Sequence, residues 1–146
     1  MREHGDWQGK ELLSRFAKAN RNALRHLEEI TSQDDIRAAV KMLNSASRIF
    51  IIGNGRAHAV ATNFIYELNH VDKQKFLISG TRSMFREEVS NVVRGDLLIA
   101  NSSGPYSSNT CEMAATVANK GVIMLSITDS AVSPLANISQ LSFVVH

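Results

Sequence analysis

The sequence predicts an α/β protein: a three-layer sandwich whose parallel, flavodoxin-like five-stranded sheet (order 2-1-3-4-5) is preceded by N-terminal helices. Three observations carry that expectation. From residue 48 onward, short apolar runs alternate with stretches of helical periodicity, the pattern of repeated β-α-β units. The first run, Ile49-Phe50-Ile51-Ile52, is apolar without interruption, as a strand buried on both faces should be. The first and third runs each lead into a loop rich in glycine and polar side chains, which puts unusual chemistry at one end of the sheet.

Taken in order, residues 1–45 read as helix. Leu12, Leu13, Phe16, Ala17, Leu24, Leu27 and Ile30 recur at helical spacing, with Lys, Arg and Glu between them. Ser32-Gln33-Asp34-Asp35 has the form of a capping box, with Asp35 where Glu is usual, and it opens a second helix carrying Ile36, Ala39, Val40 and Leu43 on one face. Strands are expected at Ile49–Ile52, Lys75–Ile78, Leu97–Ala100, Val122–Ile127 and Leu141–Val145. Helices are expected between them at Ala59–Leu68, Met84–Val93 and Thr110–Lys120, the last closed by Gly121 at the C′ position. The organisation is therefore leading helices over 1–45 and a sheet domain over 46–146. The chain stops on His146 straight after an apolar strand, with no closing helix, so a fragment truncated on its C-terminal side is expected.

Composition narrows the class. The 146 residues are enough for one domain with a buried core, and 44% hydrophobic with 21% charged residues is ordinary for a globular protein. No apolar stretch approaches the ~18–20 residues of a membrane span, and no signal-peptide pattern opens the chain. A formal charge of +2, with no Lys/Arg run, argues against nucleic-acid binding by this segment itself. Cys111 is the single cysteine, which excludes a disulfide framework and a cysteine-based metal site. A small buried hydrophobe within a helix is its expected role. These features fit a cytoplasmic protein without a metal or cofactor.

The two loops hold the chemistry. Gly53-Asn54-Gly55-Arg56-Ala57-His58 follows the first strand, and Asn101-Ser102-Ser103-Gly104-Pro105-Tyr106-Ser107-Ser108-Asn109-Thr110 follows the third. A strand that runs into backbone N–H groups, hydroxyls and a helix start makes a seat for an anion. In an open α/β sheet, ligands bind where strand order reverses, here between the first and third strands, so the two loops should face one crevice. Dinucleotide binding fits poorly. A G-x-G-x-x-G fingerprint requires Gly where His58 stands, and the second strand ends at Ser79 without an acid for a ribose hydroxyl. A P-loop is excluded because no Gly-Lys-Ser/Thr follows the first strand.

The residues resemble a known family. Ile51-Ile52-Gly53-Asn54-Gly55, then Ser102-Ser103-Gly104-Pro105-Tyr106-Ser107-Ser108, then Ser126–Ala136 with its Thr128-Asp129-Ser130 and Ser133-Pro134-Leu135-Ala136, look like a sugar isomerase (SIS) domain, the third segment most specifically. Gly95-Asp96-Leu97-Leu98-Ile99 and the Pro105-Tyr106-Ser107 form of the second loop are most similar to the ligand-sensing domain of RpiR-type transcriptional regulators. The resemblance implies a phosphosugar-binding module, with Gly53, Asn54, Gly55, Arg56, Asn101, Ser102, Ser103, Gly104, Ser107, Ser108 and Thr110 as ligand-binding candidates. Two departures stand out. The family often has a phosphate-binding Ser where this chain has Ala57, leaving Arg56 to make the charge-assisted contact. The family's Thr in the second loop falls on Tyr106 by direct count, or on Ser107 with one extra residue, the preferred alignment.

Plainer roles stay open for the same residues. Ser108 or Asn109 can be a simple N-cap, and Arg56 a solvated charge. His58 can be structural, Ser130 and Ser133 can organise a turn and cap the helix after Pro134, and Glu87 and Glu88 can lie on a solvated helix face. The resemblance implies a sensor that binds a sugar phosphate or amino-sugar phosphate and forms a homodimer or higher homo-oligomer, with DNA bound through a domain absent from this chain. The alternative is an aldose–ketose phosphosugar isomerase, for which His58, Glu87 and Glu88 are the catalytic candidates.

Overall fold

The computed structural model describes residues 4–80 and 84–145. Two helices lead in: α1 (His4–Ile30) and α2 (Gln33–Ser45). The sheet domain follows as β1 (Arg48–Ile52), α3 (Ala57–Glu67), β2 (Gln74–Ile78), α4 (Phe85–Asn91), β3 (Leu97–Asn101), α5 (Ser108–Asn119), β4 (Ile123–Thr128) and β5 (Leu141–Val144). The five strands form one sheet of order β2-β1-β3-β4-β5, parallel throughout, which is the expected topology.

Strand alternation divides the core into two layers. Phe50, Ile52, Leu98, Ala100 and Met124 face one side, where Val89 of α4 and Met113, Ala114 and Val117 of α5 cover them. Ile49, Ile51, Leu97, Ile99 and Leu125 face the other, under Ala39, Met42 and Leu43 of α2 and Ala61, Phe64 and Ile65 of α3. Burial on both faces explains why β1 and β3 read as unbroken apolar runs; each such side chain contributes about 1.5–3 kcal/mol.

Local chemistry sets the element ends. The capping box forms as expected: Ser32 Oγ accepts from Asp35 N–H at 3.0 Å, and Asp35 Oδ2 accepts from Ser32 N–H at 3.2 Å. Helix α4 stops short of the expected Val93, because side chains take over the backbone groups beyond it. Asp96 Oδ2 accepts Val93 N–H, while the Lys120 ammonium donates to the Val89 and Val92 carbonyls. Helix α5 starts two residues before Thr110, and its N-cap is Ser107, whose hydroxyl accepts from Thr110 N–H at 3.4 Å. That corrects the expectation of a cap at Ser108 or Asn109. At its other end, Gly121 N–H reaches the Ala118 carbonyl. Ser130 and Ser133 shape the turn after β4 as expected, accepting from Val132 and Ala136 N–H. Cys111 is only half-buried rather than a core residue; desolvation, then Glu112, pushes its thiol up. His146, the residue on which the truncation expectation rests, lies outside the described residues.

The sheet leaves one face of the leading helices uncovered. Leu12, Leu13 and Phe16 of α1 are exposed, while Leu24, also exposed, borders an apolar groove with Phe64, Ile127 and Phe143 of the sheet domain.

Candidate functional site

Strands β1 and β3 are neighbours in register, with Ile52 opposite Ala100, and their chains leave the sheet side by side. Between the two loops that follow lies an open crevice of about 600 Å³. Asn54, Gly55, Arg56, Ala57 and Val60 line one wall; Asn101, Ser102, Ser103, Gly104, Pro105 and Ser107 line the other. The crevice sits at the carboxyl ends of the strands, at the point where chain order reverses.

The first loop is tightly built. A Cβ on Gly53 would stand 2.7 Å from the Ala57 carbonyl oxygen, so only glycine lets helix α3 begin this close to β1. The Asn54 carboxamide lies against Gly80, where a Cβ would approach its oxygen to 2.2 Å, and its Nδ2 donates to Thr110 Oγ1 at 3.1 Å. Arg56 leads into α3 and reaches across the crevice, Nη2 donating to the Gly104 carbonyl at 3.3 Å. Among the described residues its guanidinium pairs with no carboxylate, which leaves an exposed cation over the opening.

The second loop is fastened from behind. Asp129 follows β4; its Oδ2 accepts Gly104 N–H at 2.9 Å and its Oδ1 accepts the Tyr106 hydroxyl at 2.7 Å. The Gly104 N–H, and after it the Tyr106 hydroxyl, hold the Asp129 carboxyl below its ordinary 3.8. The same Asp129 bond is the main cause that raises the Tyr106 phenol above its ordinary 10.0. The Gly104–Pro105 peptide is cis.

Of the expected ligand-binding residues, the structure brings Asn54, Gly55, Arg56, Asn101, Ser102, Ser103, Gly104 and Ser107 together around the crevice. Gly53 lies buried beneath the first loop, Thr110 is fully buried and acts through Asn54, and Ser108 is exposed on α5 without lining the opening. None of the isomerase candidates lines it. His58 and Glu87 are exposed, whereas Glu88 Oε1 accepts from the Ser79 N–H and hydroxyl at 3.1 and 2.7 Å. Val60 and Pro105 line the crevice without having been among the ligand candidates, and Asp129 and Tyr106 brace it. An acid at the end of the strand next to β3 was the available signal for Asp129. Among the described residues no group of three His, Cys, Asp or Glu side chains is placed to hold a metal, and no helix is long and apolar enough to cross a membrane.

The fold and crevice define a parallel α/β domain with an open crevice, lined by polar residues, at its topological switch point. The SIS domain family model matches residues 42–145, and the chain belongs to that family. No curated protein matches it. Among solved structures, the sugar isomerase domain of the RpiR transcription factor from Sphaerobacter thermophilus is similar over 92% of this chain and 75% of its own, with a TM-score of 0.88 and 27% identity. The Vibrio vulnificus NanR protein, complexed with ManNAc-6P, gives a TM-score of 0.83 at 20% identity over 92% of this chain, which spans half of NanR's length. An Escherichia coli protein, solved with a ligand bound, gives 0.71 at 20% identity, over 92% of this chain and 73% of that one. At such identity the last two likenesses speak to the fold alone.

Proposed function

We propose that this domain binds a sugar phosphate or amino-sugar phosphate and is the sensing half of a cytoplasmic, sugar-responsive regulator of RpiR type. The observation that carries this reading is the crevice itself: an Arg56 guanidinium, with no carboxylate partner among the described residues, on the wall opposite Ser102, Ser103 and Ser107 across about 600 Å³. A guanidinium beside hydroxyls suits a phosphate oxygen set, and the carboxamides of Asn54 and Asn101 suit the hydroxyls of a sugar ring. Ala57 brings only a methyl group to the same wall, so Arg56 carries the charge complementarity. The S. thermophilus domain, part of an RpiR transcription factor, supports the role, and NanR, which shares the fold, holds a ligand of the proposed class, ManNAc-6P.

In this reading residues 46–146 are the binding domain, and residues 1–45 transmit the change. A sensor needs only about 1–3 kcal/mol of difference in ligand affinity between two states. DNA recognition belongs to a segment outside this chain. A homodimer is part of the proposal, supported by the uncovered apolar stripe of α1. The isomerase alternative is weaker because His58, Glu87 and Glu88 stand off the crevice lining. Titration calorimetry against hexose and pentose phosphates, amino-sugar phosphates and unphosphorylated sugars tests the reading. Binding confined to phosphorylated members is expected; silence across all of them would overturn it.

A further inference from the structure

The most specific stretch of the sequence, Thr128–Ala136, contributes no lining to the crevice, yet Asp129 reaches the loop that does. Its two carboxylate oxygens are divided between Gly104 N–H and the Tyr106 hydroxyl, on either side of the lining residue Pro105. Approach is close: a Cβ on Gly104 would stand 3.3 Å from Asp129 Oδ2. The Gly104 carbonyl meanwhile takes Arg56 from the opposite wall. Gly104 is thus held through both of its backbone groups, its N–H by an acid behind and its carbonyl by a cation in front, while Ser103 and Ser107 line the crevice.

We propose that Asp129, braced by Tyr106, is a positioning residue for phosphosugar binding. It fixes the second loop before the ligand arrives, and it withdraws the Gly104 N–H from the set of donors that meet the phosphate. The proposal rests on the phosphosugar reading above. Preorganising a loop raises affinity by removing the ordering cost from the binding step. The phosphate is left to Arg56 and the hydroxyls, a site that discriminates by charge more than by a backbone amide nest.

Three variants test it: Asp129→Ala, Asp129→Asn and Tyr106→Phe, each titrated with ManNAc-6P and with the other members of the phosphosugar panel. Amide hydrogen exchange of residues 102–108 is followed in the ligand-free protein. Asp129→Ala is expected to weaken binding about 10–30-fold and to speed exchange in that segment about 10-fold, with α3 and β1 unchanged. Asp129→Asn keeps one acceptor and should fall between wild type and Asp129→Ala; Tyr106→Phe should lose about 3–5-fold. Binding by Asp129→Ala within twofold of wild type would overturn the proposal. So would weakened binding with exchange accelerated evenly over the whole sheet, which marks a general loss of stability. If wild type binds no phosphosugar, the functional reading fails, and exchange alone decides the clamp: unchanged protection of 102–108 in Asp129→Ala refutes it.

Discussion

Two arginines bracket the first strand, and they live in opposite circumstances. Arg48, at the amino end of β1, meets a nearly fully buried Asp96 in a two-point contact, Nε to Oδ1 at 3.0 Å and Nη2 to Oδ2 at 2.7 Å. Its Nη2 also donates to the Asn91 carbonyl, and its guanidinium lies 5.1 Å from the Phe50 ring centre. Arg56, just beyond the carboxyl end, has a single 3.3 Å bond to a neutral carbonyl and stands exposed. The first cation is satisfied by the fold and stitches β1 to the turn before β3. The second has one long bond and, among the described residues, no carboxylate partner. The same residue type is structural at one end of the sheet and, in the proposed reading, ligand-facing at the other, and partner count distinguishes them.

The comparison breaks most visibly by removing each cation. Arg48→Ala strands Asp96 as a buried charge, so unfolding free energy in urea should fall by about 3–5 kcal/mol, with ligand affinity at the distant crevice unchanged in the surviving folded fraction. Arg56→Ala should do the reverse. Stability should stay within about 0.5 kcal/mol, because an exposed side chain with one long hydrogen bond is removed. Phosphosugar affinity by calorimetry should drop by about 1.5–3 kcal/mol, the worth of a charged hydrogen bond. Equal loss of affinity in both variants would collapse the distinction.

The distinction was partly legible in the sequence. Strands β1 and β3 betray themselves as apolar runs because both faces are covered, and the loops after them contrast sharply in glycine and hydroxyl content. Arg56 was readable for the same reason, as the lone cation in such a loop. The brace of the second loop was harder to see. Asp129 acts on Gly104 across a separation of 25 residues, and only the pairing of β4 with β3 makes them neighbours. The cap of α5 failed locally: Ser107, Ser108, Asn109 and Thr110 are four consecutive cap-forming residues, and side-chain chemistry alone does not rank them. His58, Glu87 and Glu88 looked usable for proton transfer because residue type is visible in a sequence, whereas side-chain direction is not.

A smaller effect sharpens the view that Arg56 works without a hydroxyl beside it. Ala57 lines the crevice at the start of α3, so Ala57→Ser adds a hydroxyl donor next to Arg56 at the positive end of the helix dipole. Phosphosugar affinity should rise by about 0.5–1.5 kcal/mol, with unphosphorylated sugars unaffected. A serine that changes neither would place the phosphate away from the first loop.

The smallest effect concerns pH, since the Asp129 brace is open to solvent and screened. Its carboxyl is held below the ordinary 3.8, so its contribution to stability is present above that value and fades as pH falls through the lower native one. Tyr106 is held above 10.0, so its contribution is present below that value and is lost as pH rises through the higher native one. Thr128 also bonds Asp129 Oδ1, at 3.4 Å, and Arg56 bonds the carbonyl of the same residue, Gly104, from the front. Between these limits the brace should hold steady, unlike a histidine switch. An NMR titration of the Gly104 amide and the Tyr106 ring should be flat from about pH 5 to 9 and move only outside it. Disappearance of native signals from both ends of the sheet at one pH would mean global unfolding rather than release of one loop.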